Sequence, residues 1–152
     1  RIIPDCIKAA IKHETIVVRN PNSTRPYQHV LEPLFAYLLI AKKQCENPLF
    51  ADQYNIGPDD QDCVTTGRLA SAFCEAWGED AIWVNTSSNG PHEANFLKLD
   101  CSKIKSVLTW SPKWHIEQAV QRTVDWTKTY RDGQNVIECM NNQICEYMSG
   151  TV

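Results

Sequence analysis

The stretch Arg25-Pro26-Tyr27-Gln28-His29-Val30-Leu31-Glu32-Pro33 lies between the β-branched run Ile16-Val17-Val18 and a long apolar helical pattern. It sets an arginine, a phenol and an imidazole on the turn between a short strand and a helix. The guanidinium is a planar, permanently charged fork that matches phosphate oxygens in pairs. Arg25, Tyr27 and His29 alternate with Pro26 and Gln28, so an extended backbone puts all three on one side. Pro33 suits the first position of the following helix, and Glu32 suits the positive end of its dipole. The plainer alternative is a strand-to-helix loop with an exposed arginine.

Upstream, Ile3, Ile7, Ala10 and Ile11 recur at helical spacing and predict an amphipathic helix ending near residue 13. A strand over 16–19 follows and is closed by the turn residues Asn20-Pro21-Asn22-Ser23. Downstream, Leu34, Phe35, Tyr37, Leu38, Leu39, Ile40 and Ala41 surround most of a helix over 34–45, which predicts a largely buried helix. Tyr54-Asn55-Ile56 reads as a second short strand running into Gly57-Pro58, and Asp59-Asp60-Gln61-Asp62 as a solvated acidic turn. Thr65 or Thr66 caps a helix whose stripe of Leu69, Phe73 and Trp77 stops at Gly78. A strand over 81–84, a short helix capped by Asp100, a long helix from 116 to 130 ended by Asp132-Gly133, and a weak helix over 136–148 complete a helix-rich α/β pattern.

The chain has 152 residues, 43% of them hydrophobic, which is enough for the core of one domain. A net charge of -3 with scattered basic residues argues against general affinity for nucleic acid or an anionic membrane. No apolar run approaches the ~20 residues of a membrane span. The opening Arg1-Ile2-Ile3-Pro4-Asp5 has neither a signal-peptide core nor an initiating methionine, so it reads as the middle of a longer protein. Seven cysteines, odd in number and without a Cys-x-x-Cys pair, read as free thiols in a reducing cytoplasm.

No histidine pair has metal-ligand spacing, so no metal is expected. Gly-x-Ser-x-Gly, Gly-x-Gly-x-x-Gly and Walker patterns are absent, and no cysteine has a histidine near it in sequence. The expectation is therefore that no catalytic residue lies in this chain. His92-Glu93, behind Gly90-Pro91, is a titratable pair on a loop. It suits hydrogen bonds to a ribose or phosphate, and equally a structural hydrogen bond.

The ordered elements Arg1-Ile2-Ile3-Pro4-Asp5, Arg25-x-Tyr27-x-His29-Val30, Tyr54-Asn55-Ile56-Gly57, Pro91-His92-Glu93, Leu99-Asp100-Cys101-Ser102-Lys103 and Leu108-Thr109-Trp110-Ser111-Pro112 resemble the C-terminal half of extended short-chain dehydrogenases/reductases that act on nucleotide sugars. The wording Val17-Val18-Arg19-Asn20-Pro21 and Pro91-His92-Glu93-Ala94 is closer still to the CDP-glucose 4,6-dehydratase branch, from Arg1 to about Tyr147.

The resemblance implies the C-terminal, substrate-binding part of an extended Rossmann-type enzyme, spanning 1–152. It implies NAD held mainly by an N-terminal half that this chain lacks, since neither the glycine-rich loop nor Tyr-x-x-x-Lys is present. It also implies a nucleotide-sugar substrate, dehydration of CDP-glucose to CDP-4-keto-6-deoxyglucose, a place in deoxysugar synthesis for the lipopolysaccharide O-antigen, and a homo-oligomeric protein.

Carried over by position, Arg25 grips the diphosphate, and Tyr27 and His29 support that grip or line the pocket. Arg1, Ile2 and Ile3 lie against the nucleotide, Asn55 faces the same cleft, and His92 and Glu93 reach in from the far loop. Thr109 stands where the family usually has glycine. The alternative class is a non-catalytic module that binds a nucleotide or protein ligand.

Overall fold

Ile16 and Val18 are almost fully buried while Val17 between them is half exposed, the period-two signature of a strand with one face on a core. In the computed structural model, which describes residues 1–86 and 96–150, this strand is β1 (Ile16–Val18). Four further pieces complete the strand and turn framework: β2 (Thr24–Pro26), β3 (Cys63–Thr65), β4 (Trp83–Asn85), and the turn at Gly78 that precedes β4. β1 pairs in parallel with β4, Ile16 opposite Trp83 and Val18 opposite Asn85. Parallel neighbours need a crossover, and a helix lies within it.

Helix α1 (Ile2–Ile11), α2 (Leu31–Glu46), α3 (Thr66–Trp77), α4 (Ser102–Leu108), α5 (Ile116–Arg131) and α6 (Val136–Ser149) make up the rest. α1 and α3 cover the buried face of the β1–β4 pair, and α5 packs against α3. Cys6, Ile16, Val18, Phe73, Trp77 and Val124 form the centre of this first core. A second core gathers Ala36 of α2 with Cys101, Ile104, Leu108 and Trp110.

Of the two cap candidates before α3 the structure uses Thr65, and Asp100 lies one residue outside the N-cap of α4. Thr65 Oγ1 accepts from the Arg68 amide at 3.1 Å, and α3 stops at Gly78 with φ of +65°. Asp100 Oδ1 accepts from the Ser102 amide at 2.9 Å and opens α4. Thr109 closes α4 in the left-handed region, φ +52°, the conformation that glycine adopts without penalty.

Three expectations are corrected. Residues 53–59 form no strand, because among the described residues no segment offers them a ladder. Asn55 Nδ2 instead donates to the Asp100 carbonyl at 3.0 Å, and Tyr54 and Ile56 pack on the second core. Helix α2 is not largely buried: it starts at Leu31, Pro33 is its third residue, and Tyr37 and Leu38 are 58% and 71% exposed. Its apolar residues run all round, but the second core covers one side only. The acidic turn is not solvated throughout: Asp62 is 4% exposed, Asp59 is paired with Lys105, and Asp60 pairs with Lys98 at 3.4 Å.

Glu32 departs furthest from its expected role at the helix dipole. Its side chain is completely buried. Oε1 accepts from the backbone amides of Lys113 at 3.0 Å and Trp114 at 2.8 Å, and Oε2 accepts from the Tyr147 hydroxyl at 2.7 Å. Asp62 does the same for the next residues, accepting from the Ile116 amide and meeting His115 Nδ1, each at 2.9 Å. Two carboxyl groups from distant parts of the chain thus hold residues 113–116 and start α5.

Glu32→Ala would leave two amides and a phenol unsatisfied inside the protein, and unsatisfied groups of this kind cost about 1 kcal/mol or more each. Urea unfolding is expected to show a loss of about 3 kcal/mol for Glu32→Ala and about 1 kcal/mol for Tyr147→Phe, since the latter removes one bond and leaves the carboxyl two others.

Candidate functional site

A cleft of about 960 Å³ runs between the outward side of α1, the exit of β1 and the β2 turn. Cationic side chains dominate its rim: Arg1, Lys8 and Lys12 from the α1 region, Arg19 just after β1, and Arg25 on β2, against Asp5 and Glu14. Lys8 and Lys12 are four residues apart and so share one helix face. A concave surface lined mainly by one sign of charge focuses its field on an anionic ligand.

Arg25 is held by the antiparallel pair of β2 and β3, opposite Val64. Its Nη1 donates to the Thr24 carbonyl at 2.9 Å, and the side chain borders the cleft. Beside it Tyr27, Ser23 and Thr66 form a hydroxyl cluster. Thr66 Oγ1 lies 2.9 Å from Ser23 Oγ and 3.0 Å from the Tyr27 hydroxyl, and it also meets the Ser23 carbonyl at 3.1 Å. Thr66 is the first residue of α3, and its amide donates to the same carbonyl at 2.8 Å, so the helix start fixes the cluster.

Of the residues singled out in the sequence, Arg1, Ile2, Arg25 and Tyr27 meet in this cleft. Ile3 packs against the first core instead. Asn55 is engaged with Asp100 away from the cleft. His92 and Glu93 lie outside the described residues. The chain resumes at Phe96, which bridges Thr24, and the Leu97 amide donates to the Thr24 carbonyl at 3.1 Å, next to Arg25.

His29 does not line the cleft. The extended backbone ends at Pro26 and Val30 is already helical, with φ -61° and ψ -28°, so the alternation that grouped Arg25, Tyr27 and His29 does not run through. The imidazole is buried with its ring edge-to-face on Trp114 at 4.8 Å, and its Nδ1 accepts from the Leu31 amide at 3.3 Å. Burial, and then the Arg122 cation, push its pKa down to about 4. His115 shifts the other way, because its hydrogen bond to Asp62 favours the imidazolium.

In the sequence Lys8 and Lys12 are not singled out, and Arg19, Ser23 and Thr66 read only as strand-end, turn and helix-cap residues. The Lys8/Lys12 spacing on the polar face of α1 was the available signal. Among the described residues no group of three or more His, Cys, Asp or Glu side chains is arranged to hold a metal. All seven cysteines are unbridged, and burial raises Cys6 to about 12.

No protein-family signature matches the chain. It is 39% identical over 152 residues to the CDP-glucose 4,6-dehydratase of Salmonella typhimurium, covering 99% of the chain and 42% of that enzyme. The resemblance read from the sequence therefore holds across the chain, which spans less than half the length of this relative.

Three solved structures share the fold at low identity. The UDP-glucuronic acid 4-epimerase of Bacillus cereus, a mutant bound to UDP-4-deoxy-4-fluoro-glucuronic acid and NAD, superposes with a TM-score of 0.70 at 17% identity, over 86% of this chain and 40% of that one. The Bacillus cereus UDP-N-acetylglucosamine 4-epimerase gives 0.66 at 18% identity, over 84% and 43%. The dTDP-glucose 4,6-dehydratase of Bacillus anthracis, in complex with NAD, gives 0.67 at 19% identity, over 88% and 41%. The chain thus has the fold of about two fifths of each of these extended Rossmann-type proteins.

The His29 shift carries a pH dependence of known sign. Between the ordinary histidine value near 6.5 and the folded value of about 4, the unfolded chain binds a proton that the folded chain refuses. Stability should fall as the pH drops through that window, by up to about 3 kcal/mol from this group. Urea midpoints at pH 7.5, 5.5 and 4 measure it, and His29→Gln should flatten the decline relative to the parent.

Proposed function

We propose that residues 1–152 form the nucleotide-sugar-binding portion of a dehydratase that converts CDP-glucose to CDP-4-keto-6-deoxyglucose. The observation that carries this reading is the cationic cleft around Arg25, in a chain 39% identical to a CDP-glucose 4,6-dehydratase along 99% of its length. A sugar nucleotide presents two adjacent phosphates, and the Arg25 fork is suited to two of their oxygens. Arg1 and Ile2 lie along the same wall and would flank the nucleotide, while Lys8, Lys12 and Arg19 raise the local positive potential. His92 and Glu93 would also reach the nucleotide, as the family resemblance implies.

The conversion oxidises C4 to a ketone, reduces C6 to a methyl group and releases one water, so it is redox-neutral overall. NAD supplies the hydride relay when bound. The residues of this chain do not fit its pyrophosphate. The described glycines lie ten or more residues apart and make no glycine-rich loop, and Gly57 and Gly67 are tightly packed: a Cβ would come within 3.3 Å of Cys101 Sγ at the former and 3.1 Å of Pro21 at the latter. Such glycines serve internal packing, not a phosphate cradle. NAD and the catalytic tyrosine and lysine then belong to a part of the longer protein outside this chain, and the chain binds and orients the sugar nucleotide.

The exposed face of α2, with Leu34, Tyr37 and Leu38, would pack on that remaining part, and the same apolar exposure favours a homo-oligomer. A cytoplasmic setting accords with the unbridged thiols. Among the described residues no helix is long and apolar enough to cross a membrane.

Given CDP-glucose and NAD, the 152-residue chain alone should form no keto product while the full-length protein does. Turnover by the chain alone would refute the assignment. In the full-length protein, calorimetric titration with a CDP-sugar should show Arg25→Ala weakening binding by roughly ten- to a hundredfold, because charge-assisted hydrogen bonds contribute about 1.5–3 kcal/mol. Arg25→Lys should restore only part, since it keeps the charge and loses the fork.

A further inference from the structure

The hydroxyl cluster beside Arg25 has a direction. Ser23 Oγ meets the Asn20 carbonyl at 3.1 Å, and Thr66 Oγ1 meets the Ser23 carbonyl at 3.1 Å. Both carbonyls only accept. Ser23 Oγ and Thr66 Oγ1 are 2.9 Å apart, and the Tyr27 hydroxyl is 3.0 Å from Thr66.

Each hydroxyl owns one proton. If Thr66 spends its proton on Tyr27, the Ser23 carbonyl loses its hydroxyl donor and the tyrosine proton leaves the cluster. If Tyr27 donates to Thr66, every proton is used: tyrosine to threonine, threonine to either Ser23 oxygen, and serine to Asn20 or back to threonine. The Ser23 carbonyl also accepts from the Thr66 amide at 2.8 Å, and with Ser23 only 4% exposed its second lone pair is filled by the Thr66 hydroxyl, not by water. The arrangement that fills both lone pairs of that carbonyl and keeps all three hydroxyl protons within the cluster is therefore the one in which Tyr27 donates inward.

From this geometry we infer that the Tyr27 oxygen presents only lone pairs to the cleft and accepts a hydrogen bond from a donor on the ligand, a hydroxyl or an amine, with Thr66 as the residue that positions it. This rests on the reading of the cleft as a sugar-nucleotide site. It divides the labour within that site: phosphate oxygens, which only accept, go to Arg25 and are refused by Tyr27. The ring therefore does not support the diphosphate grip. It selects a donor-bearing part of the ligand.

The test is calorimetric titration of the full-length, NAD-loaded protein with CDP-glucose, CDP and inorganic pyrophosphate. Tyr27→Phe keeps the ring and should weaken CDP-glucose about tenfold while leaving pyrophosphate unchanged. Thr66→Val removes the inward acceptor, frees the tyrosine proton and should cause a similar loss. Thr66→Ser keeps the hydroxyl and should restore binding, and adding Thr66→Val to Tyr27→Phe should cost nothing further.

A loss shared by CDP places the donor on the nucleoside, and a loss confined to CDP-glucose places it on the hexose. If Tyr27→Phe weakens pyrophosphate, or leaves CDP-glucose binding intact, the inference is overturned. Arg25→Ala separates the two levels: should it leave all three ligands unaffected, the cleft reading itself fails, whatever Tyr27 does.

Discussion

The buried carboxyl of Glu32 is the contact on which the arrangement of helices depends. It sits in the first turn of α2, yet its partners are the amides of Lys113 and Trp114 and the hydroxyl of Tyr147 near the end of α6. One side chain thereby joins three regions that are far apart in sequence. Around it the contacts repeat the same links: Lys113 Nζ donates to the Tyr147 carbonyl at 2.7 Å and lies over the rings of Phe35 and Tyr147, and His29 and Tyr147 both meet Trp114 edge to face. A polar group this deep is tolerated because both its oxygens are satisfied.

Asp62 provides a second anchor for the same segment. With Glu32 holding residues 113 and 114, and Asp62 holding 115 and 116, the entry to α5 is fixed from both sides. α5 then packs on α3, and the start of α3 carries Thr66 into the hydroxyl cluster of the cleft. Site and scaffold are connected through helix starts. The acidic loop thus takes a structural role: Asp59 and Asp60 reach Lys105 and Lys98, and Asp62 reaches α5.

The two sides of the segment from Arg25 to Pro33 serve different ends. Arg25 and Tyr27 face the cleft, while His29 and Glu32 face the interior. The cleft side is polar and cationic; the interior side is satisfied by backbone amides and aromatic edges. A single short motif thus couples the candidate binding surface to the packing of α2 against the rest of the chain.

The sequence by itself determined the elements whose signals are local. Helical spacing of Ile3, Ile7 and Ala10, the cap at Thr65 and the stop at Gly78 all depend on neighbours within a few residues, and they hold in the structure. The motif at Arg25 and its family resemblance were legible for the same reason, since residue identity and order are local information. Tertiary structure decided what depends on partners distant in sequence. Residues 54–56 have strand-forming side chains but no ladder among the described residues, α2 is apolar all round but covered on one side, and Glu32 looked like a dipole residue because its acceptors' donors lie some eighty positions away. A hydrogen bond or a buried face needs both members, and the second member is invisible in a local reading; that is why Thr66, Lys8 and Arg19 joined Arg25 only once the chain was folded.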